Sequence, residues 1–386
     1  MPAALPSLET LIRRLVAIPS VSSVRPELDQ VNAPVCELLA GWLEHLGFRT
    51  ELKPVPGIAG KFNLLARIGS GDDGLVLSGH TDTVPFDADR WSVDPFAGTV
   101  RDGRLYGLGS ADMKSFLAVA ALAAERLPLA RLRRPLVIVA TADEESGMAG
   151  ARALVAEGER PGARVLIGEP TGLRPVNRHK GLFMEEIRIE GRSGHGSNPA
   201  AGLNAIDGMV EAIDALHRYR VALEARCRDD SLPVPGPTLN LGRIRGGDNP
   251  NRICGACELS VDVRLPAGIG VDAARVMLRT AVRERLVGSG YGVCFTELFE
   301  GIEPLAPGAE HALSAACEQA SGQACGAVAF GTEGPLFRQL GMEVVVCGPG
   351  DIAVAHQPDE SIALADAARA VDMVAGLVHR FCLERP

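Results

Sequence analysis

Residues 136–146 read L-V-I-V-A-T-A-D-E-E-S, an apolar run that passes directly into three acids. Two further short apolar runs, Leu75–Leu77 and Val165–Ile167, also lack alternation between apolar and polar residues. Runs of this kind are typical of strands that are buried on both faces of a mainly parallel sheet. Apolar residues at helical spacing over Leu8–Val16, and a small-residue stretch over Lys114–Leu127, predict helices beside that sheet. The fold class is therefore predicted to be α/β.

The pattern changes after Lys180. Residues 183–190 alternate apolar and polar, which predicts a strand with one solvated face. The predicted elements from there to residue 298 follow the order β-α-β-β-α-β, the split βαβ or ferredoxin-like arrangement. Buried-strand character returns at Glu343–Cys347, and a helix is predicted over 363–381. We therefore predict a larger domain of residues 1–180 plus 296–386, with an inserted α+β domain of residues 181–295.

The composition narrows the functional classes. The 386 residues carry 39 Lys and Arg against 48 Asp and Glu, a net charge of −9, so no nucleic-acid binding is expected. The longest weakly polar run, residues 116–124, is too short to span a bilayer, so no membrane partner is expected. Nine Cys without repeated spacing favour a reducing compartment, and we predict a cytoplasmic protein.

Histidines and carboxylates cluster close to the ends of the predicted strands. The motifs are S-G-H-T-D-T-V-P at 78–85, L-Y-G-L-G-S-A-D-M-K at 105–114, T-A-D-E-E-S at 141–146, G-E-P-T at 168–171 and A-H-Q-P-D-E at 355–360. Each alone has an ordinary explanation, such as a polar turn, a helix N-cap at Asp112 or a solvated run of acids. Because open α/β sheets bind their ligands beyond the carboxyl ends of the strands, the motifs together predict a site there.

The residue types indicate which ligand such a site would take. Imidazole and carboxylate groups without Cys favour zinc or a similar divalent cation. The three acids at 143–145 would repel one another at the end of a buried strand unless cations or protons relieved them. Two imidazoles and several carboxylates are too many for one tetrahedral centre with an open position. They suit two metals about 3.5–4 Å apart that share one carboxylate.

The five motifs resemble those of the co-catalytic zinc aminoacylase and exopeptidase family, and the likeness covers nearly the whole chain. The resemblance implies two Zn²⁺ per chain, with Co²⁺ or Mn²⁺ as substitutes. It implies that one metal is held by His80, Asp112 and Glu169, and the other by Asp112, Glu145 and His356. It further implies that Asp82 orients His80 and that Glu144 is the general base. His195 would donate to the oxyanion in a neighbouring subunit's site, so the inserted domain would form a homodimer.

Within the family, the likeness is greatest to members that cleave N2-acetyl-L-ornithine to L-ornithine and acetate in arginine biosynthesis. The carboxylate of an N-acyl amino acid needs a partner, and Arg252, Arg264 and Asn251 are the candidates. Glu333 is the candidate for binding a side-chain ammonium. Alternatives stay open: a deacylase for N-acetylcitrulline or N-succinyl-diaminopimelate, a dipeptidase or carboxypeptidase, or a non-catalytic binding protein on the same fold.

Overall fold

A computed structural model of the protein describes residues 4–384. Its α-helices are α1 (Leu8–Val16), α2 (Ala33–His45), α3 (Lys114–Glu125), α4 (Ala149–Glu157), α5 (Ala205–Glu224), α6 (Val271–Leu286), α7 (Ala312–Ser321), α8 (Gly334–Gln339) and α9 (Leu364–Val378). Its strands are β1 (Arg49–Pro54), β2 (Phe62–Ile68), β3 (Leu75–His80), β4 (Thr99–Arg101), β5 (Arg104–Tyr106), β6 (Leu136–Thr141), β7 (Arg164–Pro170), β8 (Val176–His179), β9 (Gly181–Glu190), β10 (Gly194–His195), β11 (Thr238–Gly246), β12 (Arg252–Ile253), β13 (Ala256–Leu265), β14 (Gly292–Ile302), β15 (Gly326–Val328), β16 (Glu343–Gly348) and β17 (Ser361–Ala363).

The chain divides into two compact units. The larger unit takes in the chain up to Asn177, then Pro307–Gly326 and the residues from Thr332 onward. The smaller unit consists of Arg178–Ala306 and Ala327–Gly331. Strand β14 continues to Ile302, beyond the predicted end at residue 298, which carries the smaller unit past residue 295.

The larger unit contains a mixed sheet with the strand order β1-β2-β6-β3-β7-β16-β8-β15. Strands β6, β3, β7 and β16 run parallel to one another, whereas β1, β2 and β8 pair in the antiparallel sense. Every residue of β3, β6 and β16 is buried, as expected of strands with both faces covered. The predicted α/β class with a mainly parallel central sheet is confirmed.

Helices α1, α3 and α9 pack together in the core of the larger unit. Ser7 caps the N-terminus of α1, because its hydroxyl accepts a hydrogen bond from the Thr10 N–H at 3.3 Å. Helix α3 is rich in Ala and almost wholly buried, so small side chains allow close approach. Among residues 4–384, no helix has both the length and the apolar character needed to cross a bilayer.

The smaller unit contains a four-stranded antiparallel sheet with the order β11-β13-β9-β14. Helix α5 follows β9 and helix α6 follows β13, so the chain order is β-α-β-β-α-β. Buried and partly exposed residues alternate along β9 from Gly181 to Ile189, in agreement with the predicted strand that has one solvated face. The buried face packs against α5 and α6 in a core of its own.

Candidate active site

The parallel strands position the candidate residues of the larger unit. His80 is the last residue of β3 and lies in register with Thr141, the last residue of β6. Glu169 is the penultimate residue of β7, the other neighbour of β3. Since these strands run in the same direction, their carboxyl ends meet at one edge of the sheet. Residues that are far apart in the chain are therefore brought to one place.

Asp112 lies between two imidazoles at this edge. Its Oδ1 atom is 3.1 Å from His80 Nε2, and its Oδ2 atom is 3.3 Å from His356 Nε2. Burial alone would raise the pKa of Asp112, but the hydrogen bonds from His356 and His80 outweigh burial and hold that pKa far below its usual range. Asp112 thus has one oxygen directed to each histidine, the geometry of a bridging carboxylate.

His80 is oriented by the chain that follows it. Its Nδ1 atom lies 3.0 Å from the backbone carbonyl oxygen of Asp82 and 3.7 Å from the Asp82 carboxylate. A carbonyl oxygen can only accept, so Nδ1 carries the donated proton and Nε2 faces Asp112. Metal-ligating histidines commonly have their second nitrogen held in this way. Asp82 also accepts a hydrogen bond from the Glu145 backbone N–H at 3.0 Å, which ties the two motifs together.

Two of the three consecutive acids contact different basic side chains. Asp143 Oδ1 accepts from Lys61 Nζ at 2.6 Å, and Glu145 Oε1 lies 2.9 Å from His356 Nε2. Burial raises the pKa of Glu144 well above its ordinary value, and the nearby charges of Glu145, Glu333 and Asp82 add to the effect. The repulsion expected from sequence is therefore relieved for Asp143 and Glu145 by cationic partners, whereas Glu144 has a raised pKa.

Glu169 completes the group of acids. Its side chain is 4% exposed, and burial together with the Asp112 charge raises its pKa well above the ordinary value. Burial, with the Asp112 charge in support, also raises the pKa of Glu145. The pKa of His356 is also raised, to about 10, but the cause is its hydrogen bonds to Asp112 and Glu145, which favour the charged imidazolium. A cluster of carboxylates this close together is electrostatically unfavourable without cations.

The donor set fits a divalent metal. One ligand atom each from His80, Asp112 and Glu145 lie within 4.8 Å of one another, and His356 contacts both carboxylates. Imidazole and carboxylate donors with a shared Asp match the chemistry of paired divalent cations. Burial, and after it the Asp112 charge, raise the pKa values of Glu145 and Glu169, and bound divalent cations would favour the ionised form of both carboxyl groups.

Two residues with structural roles at this site were not assigned from sequence. Glu360 is 1% exposed, and its carboxylate accepts hydrogen bonds from the backbone N–H groups of Gly109, Ala111 and Asp112. Its place in the A-H-Q-P-D-E motif was the only available signal. Lys61, which binds Asp143, lies outside all five motifs and gave none.

The remaining candidate residues fall into two groups. Glu333 lies in the larger unit and is 1% exposed; its Oε2 atom accepts from Thr141 Oγ1 at 2.9 Å. Burial raises the pKa of Glu333 to about 7.

The other candidates belong to the smaller unit. His195 of β10 pairs with Arg252 of β12. The Asn251 carbonyl oxygen accepts a hydrogen bond from the Gly196 N–H at 2.7 Å. Arg264 of β13 pairs with Asp262 at 3.1 Å.

Comparison with known proteins connects this geometry to a family. Residues 76–380 match the family described as peptidase family M20/M25/M40. An acetylornithine deacetylase of Erwinia tasmaniensis is 43% identical over 382 residues, which cover 99% of this chain and 100% of that protein. An acetylornithine deacetylase of Salmonella paratyphi B is also 43% identical, over 385 residues with 99% and 100% coverage.

Solved structures share the fold at low sequence identity. An M20 family metallo-carboxypeptidase from Sulfolobus solfataricus superposes with a TM-score of 0.78 at 17% identity, covering 97% of this chain and 99% of that one. A dinuclear metal binding peptidase of the M20 family from Bacillus subtilis gives a TM-score of 0.64 at 16% identity, with 96% of each chain covered.

Proposed function

Because this chain belongs to peptidase family M20/M25/M40, we propose that it is a metal-dependent amide hydrolase that converts N2-acetyl-L-ornithine to L-ornithine and acetate. The observation that carries the chemistry is the placement of Asp112 between His80 and His356. The relatives that are 43% identical over the full length are named acetylornithine deacetylase. This name supports N2-acetyl-L-ornithine as the substrate and a role in arginine biosynthesis.

The proposal includes two Zn²⁺ per chain, with Co²⁺ or Mn²⁺ as substitutes. One ion would be held by His80, Asp112 and Glu169, and the other by Asp112, Glu145 and His356. When bound, two such ions polarise the amide carbonyl and lower the pKa of water. The contacts of Asp112 with both histidines support its role as the shared ligand.

Glu144 is proposed as the general base. It would accept a proton from the attacking water and deliver it to the leaving α-amine. Two features support this role: its position beside Glu145, and a pKa that burial raises well above the ordinary carboxyl value. A raised pKa improves a carboxyl group as a proton acceptor and donor near neutral pH.

Four residues are proposed for substrate recognition. Arg252, Arg264 and Asn251 are candidates for binding the substrate carboxylate, since guanidinium groups pair with carboxylates in bidentate geometry. Glu333 is the candidate partner for the ornithine ammonium. In support, its Oε1 atom has no hydrogen-bond partner among the described residues, while Oε2 is held by Thr141.

His195 is proposed to donate to the oxyanion in the site of the neighbouring subunit of a homodimer, with the smaller unit as the dimerisation domain. Sedimentation at working concentration tests this point, because a protein that stays monomeric and fully active would remove His195 from the mechanism. A cytoplasmic location is part of the proposal, and the absence of a repeated spacing among the nine cysteines is consistent with it.

One substrate panel tests the proposed function. We would measure kcat/KM of the zinc-loaded protein for N-acetylornithine, N-acetylcitrulline, N-acetylmethionine, N-succinyl-diaminopimelate and a dipeptide. The highest value is expected for N-acetylornithine, and a higher value for any other member would reassign the substrate. Binding of two zinc ions per chain without turnover of any of them would indicate a non-catalytic protein.

A further inference from the structure

Lys61 is a buried lysine with two carboxylate partners. It directly precedes β2 and is 1% exposed. Its Nζ atom donates to Asp29 Oδ1 at 2.9 Å and to Asp143 Oδ1 at 2.6 Å. Burial of an ammonium group is unfavourable unless carboxylates compensate it, so these two contacts account for how Lys61 is tolerated in the interior.

Asp143 starts the turn that carries Glu144 and Glu145. Its backbone has a φ of +55°, a left-handed conformation that is uncommon for non-glycine residues, although Asp adopts it more readily than most. Its carbonyl oxygen accepts from the N–H groups of Gly147 at 3.1 Å and Met148 at 2.6 Å, which closes the turn. The Lys61 contact therefore holds the side chain of the residue from which the turn begins.

A second connection reaches the other end of the same turn. The hydroxyl of Ser22 is hydrogen-bonded to the hydroxyl of Ser146. Asp29 lies in the same segment as Ser22 and accepts from the Ser23 N–H at 3.1 Å. The segment 22–29 thus contacts the turn twice, through Ser146 directly and through Lys61 to Asp143.

We propose that Lys61 is a positioning residue for the hydrolysis. By joining Asp29 to Asp143, it holds the turn 143–146 so that Glu145 faces His356 and Glu144 keeps the orientation needed for proton transfer. The inference rests on the proposed function for its catalytic part. The competing explanation is that Lys61 only neutralises a buried charge and so contributes to stability alone.

A double variant separates positioning from stability. Lys61→Met leaves Asp143 buried without its cation, and both the melting temperature and kcat should fall. Adding Asp143→Asn removes the unpaired charge, so the double variant should regain most of the melting temperature. The connection from Asp29 through Lys61 to Asp143 is still absent. We therefore expect kcat to remain about 10- to 100-fold below that of the parent, with KM within about twofold of the parental value. Recovery of the parental kcat together with the melting temperature would overturn the proposal.

Zinc affinity gives a readout that does not depend on activity. Titration of the metal-free double variant should show the Glu145-containing site weakened about 10- to 100-fold, the usual effect of losing a residue that supports a ligand. Unchanged zinc affinity and unchanged kcat would both contradict the role of Lys61. A parent protein that binds zinc but does not cleave N-acetylornithine would instead contradict the proposed function and leave the affinity test intact.

Two further variants cover the case in which the double variant does not fold. Asp29→Asn removes the partner at the more exposed end of the connection, and we expect kcat to fall several-fold with little change in KM. Lys53→Met is the matched control, because Lys53 of β1 pairs with Glu157 and Glu159, which lie outside the turn 143–146. A kcat of Asp29→Asn equal to that of the control would also overturn the proposal.

Discussion

The Glu360 carboxylate accepts a hydrogen bond from the backbone N–H of Asp112 at 3.0 Å, across 248 positions of the chain. The same carboxylate also accepts from the N–H groups of Gly109 and Ala111. The loop that presents Asp112 to both histidines is therefore fixed by one acid from the A-H-Q-P-D-E motif, which also supplies His356. Glu360 thereby orients Asp112, which lies 248 positions earlier in the sequence.

Replacement of Glu360 should weaken metal binding without removing a ligand. In Glu360→Gln the neutral side chain accepts less strongly, and its NH₂ group opposes the N–H groups of the loop, so Asp112 should lose its fixed orientation. We expect zinc affinity to fall about 10- to 100-fold, measured by titration of the metal-free protein. Asp359→Asn is the control, because Asp359 accepts from Ser92 instead. If Glu360→Gln bound zinc with the parental affinity, the orientation of Asp112 would not depend on Glu360.

Removal of the proposed base should separate metal binding from catalysis. Glu144→Ala should retain the metal content of the parent, since the carboxylate contacts with the histidines come from Asp112 and Glu145. Its kcat should fall about 10²- to 10⁴-fold, the typical contribution of a general base. Metal analysis and steady-state kinetics on the same preparation test both points. A variant that keeps the parental rate would show that another group takes the proton.

The two histidines should affect different metals. His356→Ala removes the partner of Glu145 and should weaken one of two zinc-binding events, whereas His80→Ala should weaken the other. Competition titration with a chromophoric chelator distinguishes the two events. If His356→Ala weakened both ions equally, the assignment of His80 and His356 to separate ions would be wrong.

Glu333 should make the stability of the metal-free protein depend on pH. Burial raises its pKa from 4.5 to about 7 in the folded state, so the folded protein binds more protons than the unfolded protein between these values. The free energy of unfolding should therefore fall as pH rises from about 4.5 to 7, by up to about 3 kcal/mol from this group. Urea unfolding in EDTA should show a smaller decline for Glu333→Gln. Identical pH dependence in both proteins would mean that Glu333 is not desolvated in solution.

Much of the larger unit could be predicted from local patterns. The runs at Leu75–Leu77, Leu136–Ala140 and Val165–Ile167 lie in β3, β6 and β7, because a short apolar stretch with β-branched residues and no alternation suits a strand covered on both faces. The polar residues that follow such strands had to lie near one edge of a parallel sheet. For that reason, the proximity of His80 to the acids at 143–145 could be expected before the strand order was known.

The pairing of individual side chains was decided only by the tertiary structure. Asp112 could have been no more than a helix N-cap by its local sequence, and its position between two histidines depends on a loop held by Glu360, 248 residues away. Lys61 lies in none of the motifs, yet its ammonium group contacts the Asp143 carboxylate, 82 residues further on. Periodicity encodes which face of an element is buried, whereas the partner of a buried charge depends on which strands become neighbours, and that information is spread over the whole chain.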